Sequence, residues 1–186
     1  MRGVMTRVLA MFALGGCVAT SAGCGSTTTP SSTPGTATIT FSNLTAGGAA
    51  VGNYTESGFT LSANPGDWVV LTTYGNPAPF IQFVATAGST VTGQVAVFAA
   101  GHALFRFQSI DLYSSVTKIP YDIRGVKDDA SVFTFADTLP NTFGNFRTVI
   151  NPHSTDVIDT LIIQLTNSPG AGGRNPMGLD NIVLTR

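Results

Sequence analysis

From Ala37 to the end of the chain, apolar side chains recur at every second position in short runs, and clusters of turn-forming residues separate the runs. A period of two is typical of half-buried β-strands, and no stretch shows the sustained period of about 3.6 residues that a helix needs. The predicted strands are 37–41, 58–63, 68–73, 80–84, 93–98, 104–114, 120–125, 131–136, 146–150, 157–166 and 179–185. These short strands predict an all-β domain, 37–186, in which two antiparallel sheets stack as a β-sandwich.

One of these runs contains an irregularity. In 104–114 the apolar face changes from Phe105 and Phe107, at odd-numbered positions, to Ile110 and Leu112, at even-numbered positions. A shift of one residue moves side chains to the other face of a sheet, and a β-bulge is the usual cause. The sequence therefore predicts a bulge near Gln108–Ser109.

The charge of the chain limits its partners. Nine Lys and Arg residues and ten Asp and Glu residues make up 10% of the chain, against about 25% in an average soluble protein. From Thr36 onward seven basic residues oppose ten acidic residues, a net charge of −3, with no basic cluster. Binding to nucleic acid needs clustered Lys and Arg, so we expect no nucleic-acid partner.

The N-terminal segment has the features of an export signal. Arg2 and Arg7 precede the apolar run 8–14, which is far shorter than the roughly 20 residues of a membrane-spanning helix. Both cysteines, Cys17 and Cys24, lie in the first 24 residues, so the predicted domain has no thiol for a disulfide or a metal site.

The stretch "LGGC" ending at Cys17 resembles the lipobox of bacterial lipoproteins, and "SAGC" ending at Cys24 is a second match. The motif favours Cys17 as the lipidated residue, whereas the polar tether 25–36 directly after Cys24 favours Cys24. A third interpretation is that both are ordinary buried cysteines. Neither cysteine is followed by Asp, and the resemblance therefore implies a lipid anchor at the bacterial outer membrane or cell surface, with 1–24 as the signal peptide and lipobox region.

The segments "FRFQSIDLYSS", "IPYDIRG", "VIDTLIIQL" and "GLDNIVL" resemble the jelly-roll modules of secreted bacterial proteins, the galactose-binding-like and carbohydrate-binding-module group. The resemblance covers 104–186 well and 37–103 loosely. It implies a jelly-roll sandwich whose first and last strands are neighbours, and a carbohydrate ligand.

The resemblance also implies a structural Ca²⁺ held by an acidic residue of the last strand, a position that Asp180 occupies. Asp180 follows the same alternation as Ile182 and Leu184, so we expect its carboxylate to point inward, where it needs a partner or a metal ion. The first strand offers only Ser42 and Asn43 in place of the second carboxylate. The alternative is that Asp180 accepts hydrogen bonds from backbone amides at a strand end.

Sugar binding requires an aromatic ring for the apolar side of a pyranose and polar side chains for its hydroxyl groups. The candidate ligand-binding residues, in or beside the predicted loops, are Trp68, Tyr74, Asn76, Arg174 and Asn175. Trp68 is flanked by "VVL", so burial in the core is the alternative for this residue.

Groups that support catalysis are scarce. The two histidines, His102 and His153, lie in turn-like segments, and no motif of a hydrolase or metalloprotease is present. The candidate acids for glycoside hydrolysis are Asp111, Asp122, Asp156 and Asp159. We interpret most of them as turn residues, and we expect that the protein is not an enzyme.

The sequence thus predicts a lipid-anchored extracytoplasmic β-sandwich that binds carbohydrate or another surface component through its rim loops. One alternative is a structural or adhesive envelope lipoprotein without a small-ligand site. The other is a glycoside hydrolase or polysaccharide lyase, which would bring two Asp side chains together in a cleft.

Overall fold

A computed structural model of the chain describes residues 35–64, 67–73, 78–83, 91–167 and 177–186. These residues belong to one compact unit, Ser32–Arg186. The predicted signal peptide with Cys17 and Cys24 lies outside the described residues. Within the described part, no helix is long and apolar enough to cross a membrane.

The described residues form twelve strands and one short 3₁₀ helix at Ala100–His102. The strands are β1 Thr36–Ile39, β2 Asn53–Glu56, β3 Phe59–Ala63, β4 Trp68–Leu71, β5 Phe80–Phe83, β6 Val91–Ala99, β7 Arg106–Ser114, β8 Ile119–Lys127, β9 Ala130–Leu139, β10 Arg147–Ile150, β11 Thr160–Asn167 and β12 Met177–Thr185.

Two antiparallel sheets pack as a jelly-roll sandwich. The first sheet has the order β10-β7-β12-β5-β4, and β1 also pairs with β12. The second sheet has the order β2-β3-β6-β11-β8-β9. The predicted fold class and the predicted pairing of the first strand with the last are therefore confirmed.

The core lies between the sheets and follows the period-two pattern of the sequence. In β11 the alternate residues Leu161, Ile163 and Leu165 are fully buried. Burial of a Leu or Ile side chain contributes roughly 1.5–3 kcal/mol, so the alternating strands supply most of the stabilisation. At Gly93 in β6 a Cβ atom would overlap the ring of Phe83, so the two sheets approach each other there as only glycine permits.

The strand bounds differ from the predicted ones by a few residues, and β2 was not predicted at all. The predicted bulge in β7 is confirmed: Ser109 pairs with Val183 and Phe107 with Leu184, which leaves Gln108 as the extra residue. A second register shift, between Asp180 and Val183 in β12, was not predicted. It places Asn181 in the left-handed region, with φ 47°.

Candidate functional site

The predicted ligand-binding residues fall into two groups. Trp68 is fully buried in the core and its ring lies 5.6 Å from that of Phe83, so the prediction that Trp68 contacts a ligand is wrong and the core alternative is confirmed. The other four predicted residues lie outside the described residues, and their role stays a prediction. These are Tyr74, Asn76, Arg174 and Asn175.

The four candidate acids do not converge on one cleft. Asp111 lies on β7 in the first sheet, and Asp122 lies on β8 in the second. The Oδ2 atom of Asp156 lies 3.6 Å from Nδ1 of His153. Asp159 Oδ2 accepts a hydrogen bond from the backbone N–H of Asp128 at 2.7 Å. Each of the last two therefore has a local structural partner, and the arrangement does not resemble the paired carboxylates of a glycosidase.

Asp180 is buried, as predicted, but for a different reason. Leu179 and Ile182 both belong to the core although they are three positions apart, so the bulge between them breaks the alternation on which the inward orientation was predicted. Asp180 instead lies directly across the sheet from Asp111 and accepts a hydrogen bond from the Asn181 N–H at 2.8 Å. The alternative, that Asp180 accepts a hydrogen bond from a backbone amide, is therefore confirmed, but the position is a bulge within β12 and not a strand end.

Burial is the main cause that raises the pKa of Asp180 to about 7. The hydrogen bond from the Asn181 N–H lowers the pKa, and the nearby carboxylates of Asp111 and Glu56 raise it. Two acidic side chains thus act on Asp180 at the junction of β1, β2, β7 and β12.

Glu56 holds the end of β1. Its Oε2 atom accepts the backbone N–H groups of Thr40 at 2.8 Å and of Phe41 at 2.9 Å, and its Oε1 atom accepts the Thr40 hydroxyl at 2.8 Å. The Tyr54 hydroxyl donates to Oε2 at 3.1 Å. Phe41 adopts a left-handed φ of 57°, and two successive N–H groups converge on the carboxylate, which is a typical way for backbone to bind an anion.

The Glu56 carboxylate does not fit a Ca²⁺ site. A cation needs free oxygen lone pairs, whereas Oε2 of Glu56 accepts three hydrogen bonds from protein donors and Oε1 accepts two. Within the described residues, no group of three His, Cys, Asp or Glu side chains could hold a metal ion. The backbone N–H groups of Thr40 and Phe41 donate to the Glu56 oxygen that a metal ion would need as a ligand.

The outward side of the second sheet is a continuous surface that we call the polar face. In β6, β8 and β11 its side chains alternate with those of the core, and successive side chains of a strand point to opposite sides of the sheet. The described members are Thr92, Gln94, Ala96, Phe98, Pro120, Asp122, Arg124, Val126, Thr160, Ile162, Gln164 and Thr166.

Hydrogen bonds between neighbouring strands hold the middle of the polar face in place. Gln164 Nε2 donates to Gln94 Oε1 at 2.7 Å, and the hydroxyl groups of Thr92 and Thr166 lie 3.0 Å apart. An amide group has two donor hydrogens and a carbonyl acceptor, so both glutamines retain capacity for further hydrogen bonds. The face thus presents fixed donors and acceptors on rigid strands.

One side of this glutamine pair carries both signs of charge. Asp122 is paired across the sheet with Gln164, and Arg124 is paired with Ile162. One carboxylate and one guanidinium, two residues apart on the same strand, give the polar face no net charge. At the other side, the ring of Phe98 stacks on the imidazole of His102, with centroids 5.3 Å apart and an angle of 16° between the planes.

The polar face was not predicted as a site from the sequence. The alternation in β11 contained this information. Because its odd-numbered side chains lie in the core, its even-numbered side chains point outward, and these include Gln164 and Thr166. That the polar positions of β6, β8 and β11 form one surface depends on strand order, which the alternation does not reveal.

No protein-family model matches the chain, and no curated protein matches it. Among solved structures, a DUF4465 family protein from Bacteroides caccae matches with a TM-score of 0.52 and 8% identity, over 81% of this chain and 98% of that one. A family 29 carbohydrate-binding module from Piromyces equi matches with a TM-score of 0.48 and 11% identity, over 82% and 90% of the chains. TmCBM61, solved with β-1,4-galactotriose, matches with a TM-score of 0.45 and 9% identity, over 70% and 89%. At these identities the similarity shows the fold alone.

Proposed function

We propose that the protein is a non-catalytic carbohydrate-binding module that is lipid-anchored outside the cytoplasmic membrane and holds a glycan on its polar face. The observation that carries this proposal is the Gln94–Gln164 pair, joined at 2.7 Å on the two central strands of the second sheet and flanked by Asp122 and Arg124.

The chemistry of the polar face suits a neutral sugar chain. Sugar hydroxyl groups both donate and accept, and the face offers amide, carboxylate, guanidinium and hydroxyl groups in fixed positions. Because Asp122 and Arg124 balance each other, the face has no preference for a ligand of either charge. The stacked pair of Phe98 and His102 supplies a flat edge against which the apolar side of a pyranose can pack.

The non-catalytic part of the proposal is supported by the positions of the acids. Asp122 is the one candidate acid on the polar face, and it has no second carboxylate among the described members of that face. Hydrolysis of a glycosidic bond requires two carboxyl groups on either side of the bond.

The anchor and the location are supported by the N-terminal sequence. Arg2, Arg7 and the apolar run 8–14 precede the "LGGC" stretch, and a polar tether follows Cys24. Metabolic labelling of the expressed chain with a palmitate analogue tests this part. We expect Cys17→Ala to abolish labelling and Cys24→Ala to leave it intact; undiminished labelling of Cys17→Ala would assign the lipid to Cys24, and absence of label in the wild type would contradict the anchor.

A glycan array tests the ligand. We expect the full chain, in detergent micelles, to bind neutral polysaccharides, and we expect Gln164→Ala to weaken this binding. Lys118→Ala, which removes an exposed side chain elsewhere, is the matched control. The proposal is wrong if the wild type binds no glycan or if Gln164→Ala binds as the wild type does.

A further inference from the structure

The turn between β9 and β10 contains an unusual residue. The N–H of Asn145 donates to the carbonyl oxygen of Thr142 at 3.1 Å, and the two residues between them, Phe143 and Gly144, have φ values of 51° and 83°. Two positive φ values at the centre are the pattern of a type I′ turn, for which Asn-Gly is strongly preferred. Phe143 occupies the position of the preferred Asn, in a conformation that bulky side chains avoid.

Folding does not account for this phenylalanine. The Phe143 side chain is 80% exposed, so it contributes little to the core in return for its strained backbone. Strained residues that persist in a folded protein are concentrated at functional sites.

The turn is nevertheless held rigidly. The Asn141 side chain accepts the Phe143 N–H at 2.9 Å and donates to the carbonyl of Val116 at 2.9 Å. The buried Thr142 hydroxyl is bonded to the backbone of Ser114. The Phe143 ring is therefore presented from a preorganised backbone, which lowers the entropy lost on binding a ligand.

A cavity lies next to this turn. It has a volume of about 370 Å³ and is lined by Leu139, Pro140, Asn141, Thr142, Arg147 and Thr148. This volume falls within the range of roughly 300–1,000 Å³ typical of small-ligand pockets. We call the cavity and the adjoining Phe143 the β9–β10 corner.

Arg147 gives the corner its chemistry. The side chain is exposed, and within the described residues it makes no hydrogen bond or ion pair. The hydroxyl of the neighbouring Thr148 donates to Asp111 Oδ1 at 2.6 Å, which directs that carboxylate to Thr148. A guanidinium without a protein partner binds a carboxylate through two parallel hydrogen bonds, whereas Leu139 and Pro140 offer apolar contact on the same wall.

We propose that the β9–β10 corner is a second binding site, which takes an acidic sugar residue, with Arg147 bound to the uronate carboxylate and the apolar side of the ring against Pro140 and Phe143. The assignment to a sugar rests on the proposed function, whereas the assignment to a carboxylate rests on Arg147. The corner differs from the polar face, where Asp122 balances Arg124 and gives no preference for an anion.

Calorimetric titration of the full chain in detergent micelles tests this inference, with trigalacturonate as the acidic probe and galactotriose as the neutral one. We expect Arg147→Gln to weaken trigalacturonate binding by about tenfold or more, because hydrogen bonds to charged groups are the strong ones. Arg147→Lys should retain part of the affinity, because it keeps the charge but loses the planar fork. Lys127→Gln, which removes a cation at the opposite end of β8 from the corner, should bind as the wild type does.

The outcomes separate this inference from the proposed function. Trigalacturonate binding that Gln164→Ala weakens and Arg147→Gln leaves unchanged would overturn the inference and leave the polar face standing. The same conclusion holds if only the neutral probe binds. Trigalacturonate binding that depends on Arg147, with no neutral sugar bound, would support the corner and contradict the polar face. No binding of either probe would overturn the inference.

Discussion

The side-chain hydroxyl of Thr142 donates a hydrogen bond to the backbone carbonyl of Ser114 at 2.6 Å and accepts one from the N–H of the same residue at 2.8 Å. Both residues are buried, Thr142 to 97% and Ser114 completely. This reciprocal contact attaches the turn of the β9–β10 corner to the end of β7.

Replacement of Thr142 by valine should destabilise the domain. The shape is conserved, but the Ser114 N–H loses its acceptor in a buried position, and such an unsatisfied group costs about 1–3 kcal/mol in the free energy of unfolding. Denaturant-induced unfolding measures the effect, and Thr142→Ser, which keeps the hydroxyl, is the control. Equal stability of Thr142→Val and the wild type would show that this contact does not hold the turn.

Phe143→Asn should raise stability and lower affinity together. Asn is favoured at the first central position of a type I′ turn, so the substitution relieves backbone strain of about 1 kcal/mol or more and raises the melting temperature. The same change removes the exposed ring and should weaken trigalacturonate binding. Phe143→Ala is the matched control, because it removes the ring but leaves a non-glycine, non-Asn residue at positive φ. A melting temperature that falls in Phe143→Asn would contradict the assignment of strain to this residue.

The buried carboxyl of Asp180 should make stability depend on pH. Its pKa rises from an ordinary value of 3.8 to about 7 in the folded protein, mainly because of burial, so between these values the folded state binds a proton that the unfolded state has lost. Stability therefore falls as the pH rises from about 4 to about 7 and levels off above, by an amount on the order of 4 kcal/mol, because the pKa differs by about three units and each unit corresponds to about 1.4 kcal/mol.

Asp180→Asn should remove this dependence, because the amide does not titrate. Asp129→Asn is the control, since Asp129 is exposed and its positive φ of 62° is one that Asn tolerates. The test is the free energy of unfolding of the wild type and of both variants, measured at pH 5 and at pH 8. A wild type that is more stable at the higher pH, or an Asp180→Asn variant with the same slope as the wild type, would contradict the account of this group.

The junction held by Glu56 should be independent of calcium. Its Oε2 atom accepts hydrogen bonds from Thr40, Phe41 and Tyr54, so this oxygen has no lone pair left for a cation. We expect the melting temperature to be the same with Ca²⁺ and with a chelator, and we expect Glu56→Gln to lower the unfolding free energy by about 1–3 kcal/mol, because one amide oxygen replaces two charged acceptors. A rise of the melting temperature with Ca²⁺ would mean that the carboxylates rearrange around the ion.

The fold could be predicted from the sequence largely because its core strands alternate. The alternation of Leu161, Ile163 and Leu165 identifies a half-buried strand from the sequence alone. The change from odd to even apolar positions likewise places the bulge at Gln108. The strand β2 was missed because "NYTE" is short, polar and at a sheet edge, and it becomes a strand only by pairing with β3. The bulge at Asn181 has a parity change of the same kind, from Leu179 to Ile182, but this change was not predicted as a bulge.

The site depended on information that the sequence does not contain locally. Glu56 meets the backbone of Thr40 across sixteen residues, and Gln94 meets Gln164 across seventy, so neither contact is visible as a motif. Polar residues on the outward side of a strand are common in any sandwich, and their significance here comes from the strand order that assembles them. Trp68 was predicted for a sugar site because of its residue type. It is buried in the core, as its flanking apolar residues indicate.

The most direct test of the central claim is the affinity of the full chain for the neutral oligosaccharide that the glycan array selects, measured by calorimetry for the wild type, for Gln164→Ala with Arg124→Ala, and for Lys118→Ala. The account predicts that the double variant, although folded with an unchanged melting temperature, loses affinity by about tenfold or more, because two fixed hydrogen-bonding groups are removed from the polar face. Affinity equal to that of the wild type and of Lys118→Ala would show that the glycan does not bind on the polar face.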